Sequence, residues 1–200
     1  MSTVTVVVTS IPPRGRMLGR ALESVARQTR PADAIVAVID HHREGAALNR
    51  DNGLSMVTTD YVAFLDDDDE LYPDHLARLL AAAAETGADL VYPWFDVGSG
   101  GTDPFPQFEG APWDPAEPHQ IPVTFLARTV AVHEAGGFSF GWDTAQSEDP
   151  GVDEHGNRAG EDYRLVVRMN DRSAKIHHLP ARTWVWHHHG ANTSGLPSRW

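Results

Sequence analysis

An apolar run passes directly into four aspartates in the stretch Tyr61-Val62-Ala63-Phe64-Leu65-Asp66-Asp67-Asp68-Asp69-Glu70-Leu71-Tyr72-Pro73-Asp74. The first five residues are typical of a strand that is buried on both faces. The aspartates cannot simply follow them into the core, because an unpaired buried carboxylate costs much free energy. The pattern therefore predicts a sheet edge that opens into a cleft, where Mg²⁺ or Mn²⁺ draws the carboxylates together. The alternative is a solvated acidic turn before a helix that begins near Pro73.

Composition places the chain among globular proteins. Its 200 residues suffice for one domain, and 41% hydrophobic with 22% charged residues is an ordinary balance. The net charge of −12 argues against a groove for nucleic acid, although it permits a nucleotide held through a metal. No apolar run reaches the roughly 20 residues of a membrane helix. The first residues lack the basic region of a signal peptide, so we expect a cytoplasmic protein. The absence of cysteine excludes thiolate metal sites.

Strand and helix patterns alternate through the first half of the chain. β-branched and apolar runs predict buried strands at 4–9, 34–39, 61–65 and 90–95. Helical spacing of apolar residues fills the intervals at about 17–28, at 45–57 and between Pro73 and Gly87. This alternation predicts an α/β fold with a mostly parallel central sheet flanked by helices.

Polar residues follow three of these strands. They are Thr9 and Ser10, Asp40, and the four aspartates from Asp66. Because ligands bind beyond the carboxyl ends of parallel strands, we expect these three sites to form one cleft.

The second half gives weaker patterns. Glycines and prolines predict a loop excursion at 98–122, followed by a strand at 123–127 and a short helix at 130–135. Residues 139–160 are acidic and predict a long mobile loop, which either orders over a ligand as a lid or stays solvated. A helix at 161–169 precedes a small C-terminal β segment, predicted as paired strands at 174–179 and 183–187 around Pro180.

The order of motifs resembles family 2 of the glycosyltransferases, which have the GT-A fold. The resemblance covers nearly the whole chain and rests on six segments in the family's order. They are Arg20 to Thr29, Arg50-Asp51-Asn52-Gly53-Leu54 (similar to Arg-Asn-x-Gly), the DXD strand Asp60 to Asp69, Gly136-Gly137-Phe138, Gly160-Glu161-Asp162-Tyr163-Arg164-Leu165, and His189-Gly190-Ala191-Asn192-Thr193-Ser194. The resemblance implies one GT-A-like domain over residues 1–200, with a nucleotide-binding half at 1–97 and an acceptor and catalytic half at 98–200.

Two departures fall on the residues that would contact the base of a nucleotide. The opening strand ends in Thr9-Ser10-Ile11-Pro12, where the family usually has Pro-Thr-Tyr-Asn. The second strand keeps Asp40 but has Ile39 in place of the first of two aspartates.

The resemblance implies metal-dependent transfer of a sugar, with inversion, from a nucleotide-diphosphate sugar to an unknown acceptor hydroxyl. UDP is the preferred nucleotide, and the cofactor is Mn²⁺ or Mg²⁺. Asp66 and Asp68 would hold the metal, Asp68 directly, while Asp67 faces the sugar or ribose. His189, or failing it His187, would complete the metal shell or touch the diphosphate. The alternative for these histidines is a strand packed beside Trp184 and Trp186.

The remaining roles concern the nucleotide and the acceptor. Asp40, with Thr9 or Ser10, would bind a uracil-like base, unless Asp40 only caps a turn. Arg50 would reach the diphosphate, unless it is a surface residue. Asp162 is the candidate general base and Glu161 would orient the acceptor or support the base. The alternative is that both acids only complement a helix dipole.

Two other functions compete with this interpretation. A nucleotidyltransferase would need a glycine-rich, basic phosphate loop after the first strand, whereas 10–16 contains one glycine and two arginines. A non-catalytic nucleotide-sugar-binding module would keep the fold and lack the chemistry. The sequence specifies neither the sugar, the acceptor nor the oligomeric state.

Overall fold

The computed structural model describes residues 2–116, 119, 121–139 and 160–187. Seven strands form one sheet in this described part, in the order β2-β1-β3-β6-β5-β7-β4. The strands are β1 (Val4–Ser10), β2 (Ala34–Ile39), β3 (Tyr61–Asp66), β4 (Glu70–Leu71), β5 (Leu90–Val97), β6 (Leu126–Arg128) and β7 (Ile176–Trp186). The helices are α1 (Gly15–Ala26), α2 (Ala46–Leu54), α3 (His75–Thr86), α4 (Thr129–Glu134) and α5 (Glu161–Asp171).

The sheet is mostly parallel, which confirms the predicted fold class. β1 pairs in parallel with β2 and β3, and β5 pairs in parallel with β7. The short strand β6 joins these two groups by antiparallel pairing with β3 and β5, and β4 pairs antiparallel with β7. The carboxyl ends of all five parallel strands therefore lie at one edge of the sheet.

Strand β3 is central and is buried on both faces, as its sequence predicts. Ala63 and Leu65 belong to a core that includes α1 and α3, whereas Val62 and Phe64 belong to a core that includes α2, α4 and α5. Successive side chains of a strand point to opposite faces, so one apolar run supplies both cores. The aspartates begin where the two cores end.

Strand β2 differs from its prediction as a buried strand. It forms the end of the strand order and pairs only with β1 among the described strands. Ile35 is 45% exposed and Ile39 is 41% exposed. The prediction was wrong because an apolar, β-branched run indicates strand propensity but not whether a further element covers it.

The predicted pair of C-terminal strands is also wrong. Residues 176–186 form the single strand β7. It pairs in parallel with β5 and, through Trp184 and Val185, antiparallel with β4. Pro180 lies where the register with β5 shifts, between the pairs Tyr92–His178 and Trp94–Arg182. A proline has no N–H for the ladder, so it is tolerated at such an irregularity without ending the strand. The unbroken strand carries residue 187 to the carboxyl edge of the sheet.

Two further predictions differ or fall outside the description. The strand expected at 123–127 is limited to Leu126–Arg128, and the acidic segment expected as a mobile loop lies almost wholly outside the described residues. The excursion after β5 packs on the domain, since Trp94 Nε1 donates to Asp103 at 2.6 Å and Arg182 Nε donates to Glu109 at 2.8 Å. No helix of the described part has both the length and the apolar character to cross a membrane.

Candidate functional site

The predicted cleft residues gather at the carboxyl edge of the sheet. Thr9, the second-to-last residue of β1, lies opposite Asp66, the last residue of β3, in the parallel register. The N-terminus of α5 brings Glu161 to the same edge, where Arg50 of α2 contacts both Glu161 and Asp66. Residues that are about 100 positions apart in the sequence therefore share one site.

Three of the four aspartates can surround one cation. Carboxylate oxygens of Asp66, Asp68 and Asp69 lie within 4.8 Å of one another. Asp68 and Asp69 are buried, so the alternative of a solvated acidic turn is wrong. Burial, together with the charges of Asp66 and Asp68, raises the pKa of the Asp69 carboxyl well above its ordinary value. A hard divalent cation takes oxygen ligands and would relieve this repulsion, so the residues present fit Mg²⁺ or Mn²⁺.

Asp69 was not predicted as a candidate ligand from the sequence, although it stands in the same run. The resemblance assigns Asp66 and Asp68, and the direction of each aspartate side chain depends on the turn that follows β3. Asp69 N–H donates to the Asp66 carbonyl at 3.2 Å, and this turn brings its carboxylate back towards Asp66 and Asp68.

Asp67 is held by protein groups on both of its oxygens. Ser10 Oγ donates to Oδ2 at 2.6 Å and Arg14 Nη1 donates to Oδ1 at 2.9 Å. The same Arg14 nitrogen donates to Asp68 Oδ2 at 3.1 Å. Asp67 is therefore outside the cation cluster, and Arg14 is a site residue that the sequence did not single out.

Arg50 is the connection between the aspartates and α5. It is 4% exposed, so the alternative of a surface arginine is wrong. Nη2 donates to Asp66 Oδ1 at 2.7 Å, Nη1 contacts Glu161 Oε1, and the guanidinium lies 5.6 Å from the ring centre of Phe138. Burial opposes its charge, but the nearby carboxylates of Asp66, Glu161 and Asp162 outweigh burial and raise the pKa of Arg50.

The candidate base Asp162 lies in the first turn of α5. This helix begins at Glu161, directly after Gly160, and Asp162 is half-buried beside the Arg50–Glu161 ion pair. Asp162 Oδ1 accepts a hydrogen bond from the N–H of Tyr163 at 2.8 Å. The helix start therefore brings both acids of the Glu-Asp pair to the edge where the aspartates lie.

Asp51 is a second residue that the sequence did not single out. Its carboxylate accepts hydrogen bonds from the N–H groups of Phe138 at 2.7 Å and Ser139 at 2.8 Å. Gly137, before them, has φ +70°, and a Cβ atom there would lie 2.4 Å from Asp51 Oδ1. The Gly-Gly-Phe turn needs glycine for its backbone and for this close approach. The only signal in the sequence was that both segments resemble family motifs.

The residues expected to bind a base lie at the same edge but contact the protein. Asp40 accepts hydrogen bonds from the N–H groups of Glu44 and Gly45, both at 2.9 Å, just before α2. Thr9 Oγ1 donates to Asp66 Oδ1 at 3.4 Å. Asp40 therefore has the contacts of a turn-stabilising residue, which was the alternative role, and a base-binding role stays a prediction.

Of the two histidines predicted to complete the metal shell, the structure describes only His187. His187 Nε2 lies 2.8 Å from Glu70 Oε1, and its backbone N–H donates to Asp69 Oδ1 at 2.9 Å. Among the described residues, the cluster that can hold a cation contains no histidine. His189, the preferred histidine ligand, lies outside the described residues.

The chain is similar to known glycosyltransferases in sequence. The family model Glycosyl transferase family 2 matches residues 20–143, more than half of the chain. The pre-mycofactocin glycosyltransferase of Mycobacterium tuberculosis is 29% identical over 159 residues, which are 72% of this chain and 31% of that protein. The chain thus spans less than a third of that curated relative.

The same fold occurs in solved structures. S. aureus TarS 1–349 in complex with UDP-GlcNAc matches with a TM-score of 0.72 and 16% identity, over 95% of this chain and 60% of that one. The complex of TarS 1–349 with UDP matches with a TM-score of 0.69 and 15% identity, over 93% and 60% of the two chains.

Proposed function

Because this chain belongs to glycosyl transferase family 2, we propose that it transfers a sugar from a nucleotide-diphosphate sugar to an acceptor hydroxyl. The contact that carries the proposal is the double ion pair of Arg50 with Asp66 and Glu161. It places the acidic cluster and the helix with the candidate base beside one another, so one donor can lie between them. The donor we propose is a UDP-sugar, the class of ligand present in the TarS structures of the same fold.

The leaving diphosphate needs positive charge. Asp66, Asp68 and Asp69 would hold Mn²⁺ or Mg²⁺, which acts as a Lewis acid on the leaving group when bound. Arg14 and Arg50, each in contact with an aspartate of this run, supply further positive charge at the same edge. Thr9, Ser10 and Asp40 line the edge on the side of β1 and β2, where we place the nucleotide base.

The acceptor hydroxyl needs a general base to take its proton. In the proposed step the acceptor oxygen attacks the anomeric carbon, the bond from that carbon to the diphosphate oxygen breaks, and Asp162 takes the hydroxyl proton. One displacement inverts the anomeric carbon. Glu161, held by Arg50, fixes the first turn of α5 and so the position of Asp162.

The experiment compares two isosteric substitutions on α5. Asp162→Asn should lower UDP release from a UDP-sugar with Mn²⁺ by about 10²- to 10⁴-fold, because an amide cannot accept the proton. UDP affinity in calorimetry should stay within about twofold, since the amide keeps the shape of the side chain. The control, Asp171→Asn, alters an exposed residue at the other end of the helix and should leave both quantities unchanged.

Full activity in Asp162→Asn would reject the assignment of Asp162 as the general base. UDP binding without transfer or hydrolysis for any sugar would instead indicate a non-catalytic binding module. The nucleotidyltransferase alternative gains no support from the described residues. The segment after β1 forms a short 3₁₀ turn, Pro12–Arg14, whose arginine contacts Asp67 and Asp68.

A further inference from the structure

Arg14 places a positive charge on two of the four aspartates. It ends the short turn after β1, and a single nitrogen, Nη1, lies 2.9 Å from Asp67 and 3.1 Å from Asp68. The Arg14 side chain is 23% exposed, whereas the carboxylates are 3% and 9% exposed. A partly exposed side chain thus neutralises two carboxylates that are mostly buried.

The two aspartates differ in what else holds them. Asp67 has Ser10 on its second oxygen and is outside the cation cluster. Asp68 belongs to the cation cluster with Asp66 and Asp69. Asp68 therefore contacts Arg14 and also belongs to the cation site, whereas Asp67 contacts Arg14 and is not part of the cation site.

We propose that Arg14 is a resident counter-ion that competes with the divalent cation for Asp68, and that Asp67 limits this competition by retaining Arg14. The inference rests on the cation site of the proposed function. A divalent cation on Asp68 repels the guanidinium a few ångströms away, so binding must weaken the contact between Arg14 and Asp68. Asp67, fixed by Ser10, keeps a partner for the displaced guanidinium. The pair Arg14–Asp67 thereby sets the affinity for the cation.

The test measures Mn²⁺ binding without nucleotide, by calorimetry on the full chain. Arg14→Gln removes the competing charge and should tighten Mn²⁺ binding by about tenfold, whereas Arg14→Lys keeps the charge and should bind as the wild type does. Arg27→Gln is the matched control, because Arg27 pairs with Glu23 on an exposed part of the chain. It should leave the affinity unchanged. Thermal unfolding checks that each variant is folded.

Asp67→Asn gives a result of opposite sign. Arg14 then loses its contact with a carboxylate outside the cation cluster and stays on Asp68, so Mn²⁺ binding should weaken by about tenfold. Loss of a nearby negative charge also weakens binding, and a double-mutant cycle separates the two effects. If Asp67 acts through Arg14, Asp67→Asn should change the affinity much less in the Arg14→Gln background.

Three outcomes would overturn the proposal. Equal Mn²⁺ affinity in Arg14→Gln and the wild type would show that the guanidinium does not compete. Equal effects of Asp67→Asn in both backgrounds would show that Asp67 acts by its own charge. The absence of Mn²⁺ binding in the wild type and in Arg14→Gln would reject the cation site itself, together with that part of the proposed function.

Discussion

Individual glycines show how closely α2 is packed on the sheet. A Cβ atom at Gly53 would lie 2.4 Å from Cγ1 of Val7, whereas a Cβ atom at Gly19, in α1, would have no neighbour within 4 Å. Close packing at Gly53 keeps Arg50, one turn earlier in the same helix, against Asp66.

These two glycines give opposite predictions for the same substitution. Gly53→Ala should lower the free energy of unfolding by about 1–3 kcal/mol, because the added methyl group forces α2 away from β1. Gly19→Ala should raise it by about 0.5–1 kcal/mol, because alanine has the higher helix propensity and no clash arises. Urea denaturation of both variants measures the difference. Equal stability of the two variants would contradict the close approach of helix and strand.

At the residue scale, the sequence predicted where the charged side chains lie better than it predicted which side chains they contact. The run Asp66 to Asp69 predicted a cleft edge because the apolar residues before it indicate a buried strand, although the run alone also allowed a solvated acidic turn. It did not predict that Asp67 would turn to Ser10 and Arg14, since that depends on side-chain directions within one turn. Arg14 lies in a segment with a second arginine, Arg16, and nothing local distinguishes them.

At the element scale, α3 carries a buried histidine into the core. His75 is fully buried, its Nδ1 lies 2.8 Å from Thr183 Oγ1, and its Nε2 has no hydrogen-bond partner within the part of the chain that the structure describes. Burial lowers the pKa of His75 to about 3. The ring is therefore neutral in the folded protein throughout the usual working range of pH.

This histidine should make the protein less stable in mild acid. Between its ordinary pKa near 6.5 and about 3, His75 binds a proton only in the unfolded chain, so stability falls as the pH falls. The loss is about 1.4 kcal/mol for each pH unit below 6.5. Urea denaturation at pH 7.5 and 5.5 should show this loss in the wild type and a smaller loss in His75→Gln. Equal losses would contradict the neutral buried ring; His119 and His178, whose pKa values burial also lowers, remain in both proteins.

The elements themselves were largely predictable, and the exceptions share one cause. Strands, helices and their order followed from apolar periodicity through β5, apart from the two-residue strand β4, which was not predicted. The pattern was wrong about the burial of β2 and about the division of β7 into two strands. Both depend on which elements lie beside the strand. Pro180 predicts a chain break from local geometry alone, but the parallel partner β5 accommodates it in a register shift. Such pairing between distant segments leaves no local signal.

At the scale of the whole molecule, the site draws on both halves of the chain. Arg50 and the aspartates come from residues before 70, whereas Glu161 and His187 come from beyond 160. One sheet separates the two cores, and its strands together with α2 and α5 bring these residues to one edge. A ligand at that edge therefore binds only the folded chain.

Ligand binding should stabilise the protein as a unit. UDP with Mn²⁺ at 100 times its dissociation constant should raise the free energy of unfolding by about 2.7 kcal/mol. In Asp69→Asn the part of this gain that requires Mn²⁺ should be much smaller, because one cation ligand loses its charge. Thermal unfolding with UDP, with and without Mn²⁺, gives both quantities. A gain that is the same without Mn²⁺ would contradict a metal-dependent donor site.

The exposed edge strand β2 has a practical consequence for anyone who concentrates this protein. Its six residues, Ala34–Ile39, carry no charge and no proline, the usual devices that keep sheet edges of separate molecules from joining. Crowded samples should therefore aggregate through this strand before the cores open. Lysine in place of Ile35, which already faces water and lies away from the carboxyl end of β2, is the change that improves solubility while leaving the cleft intact.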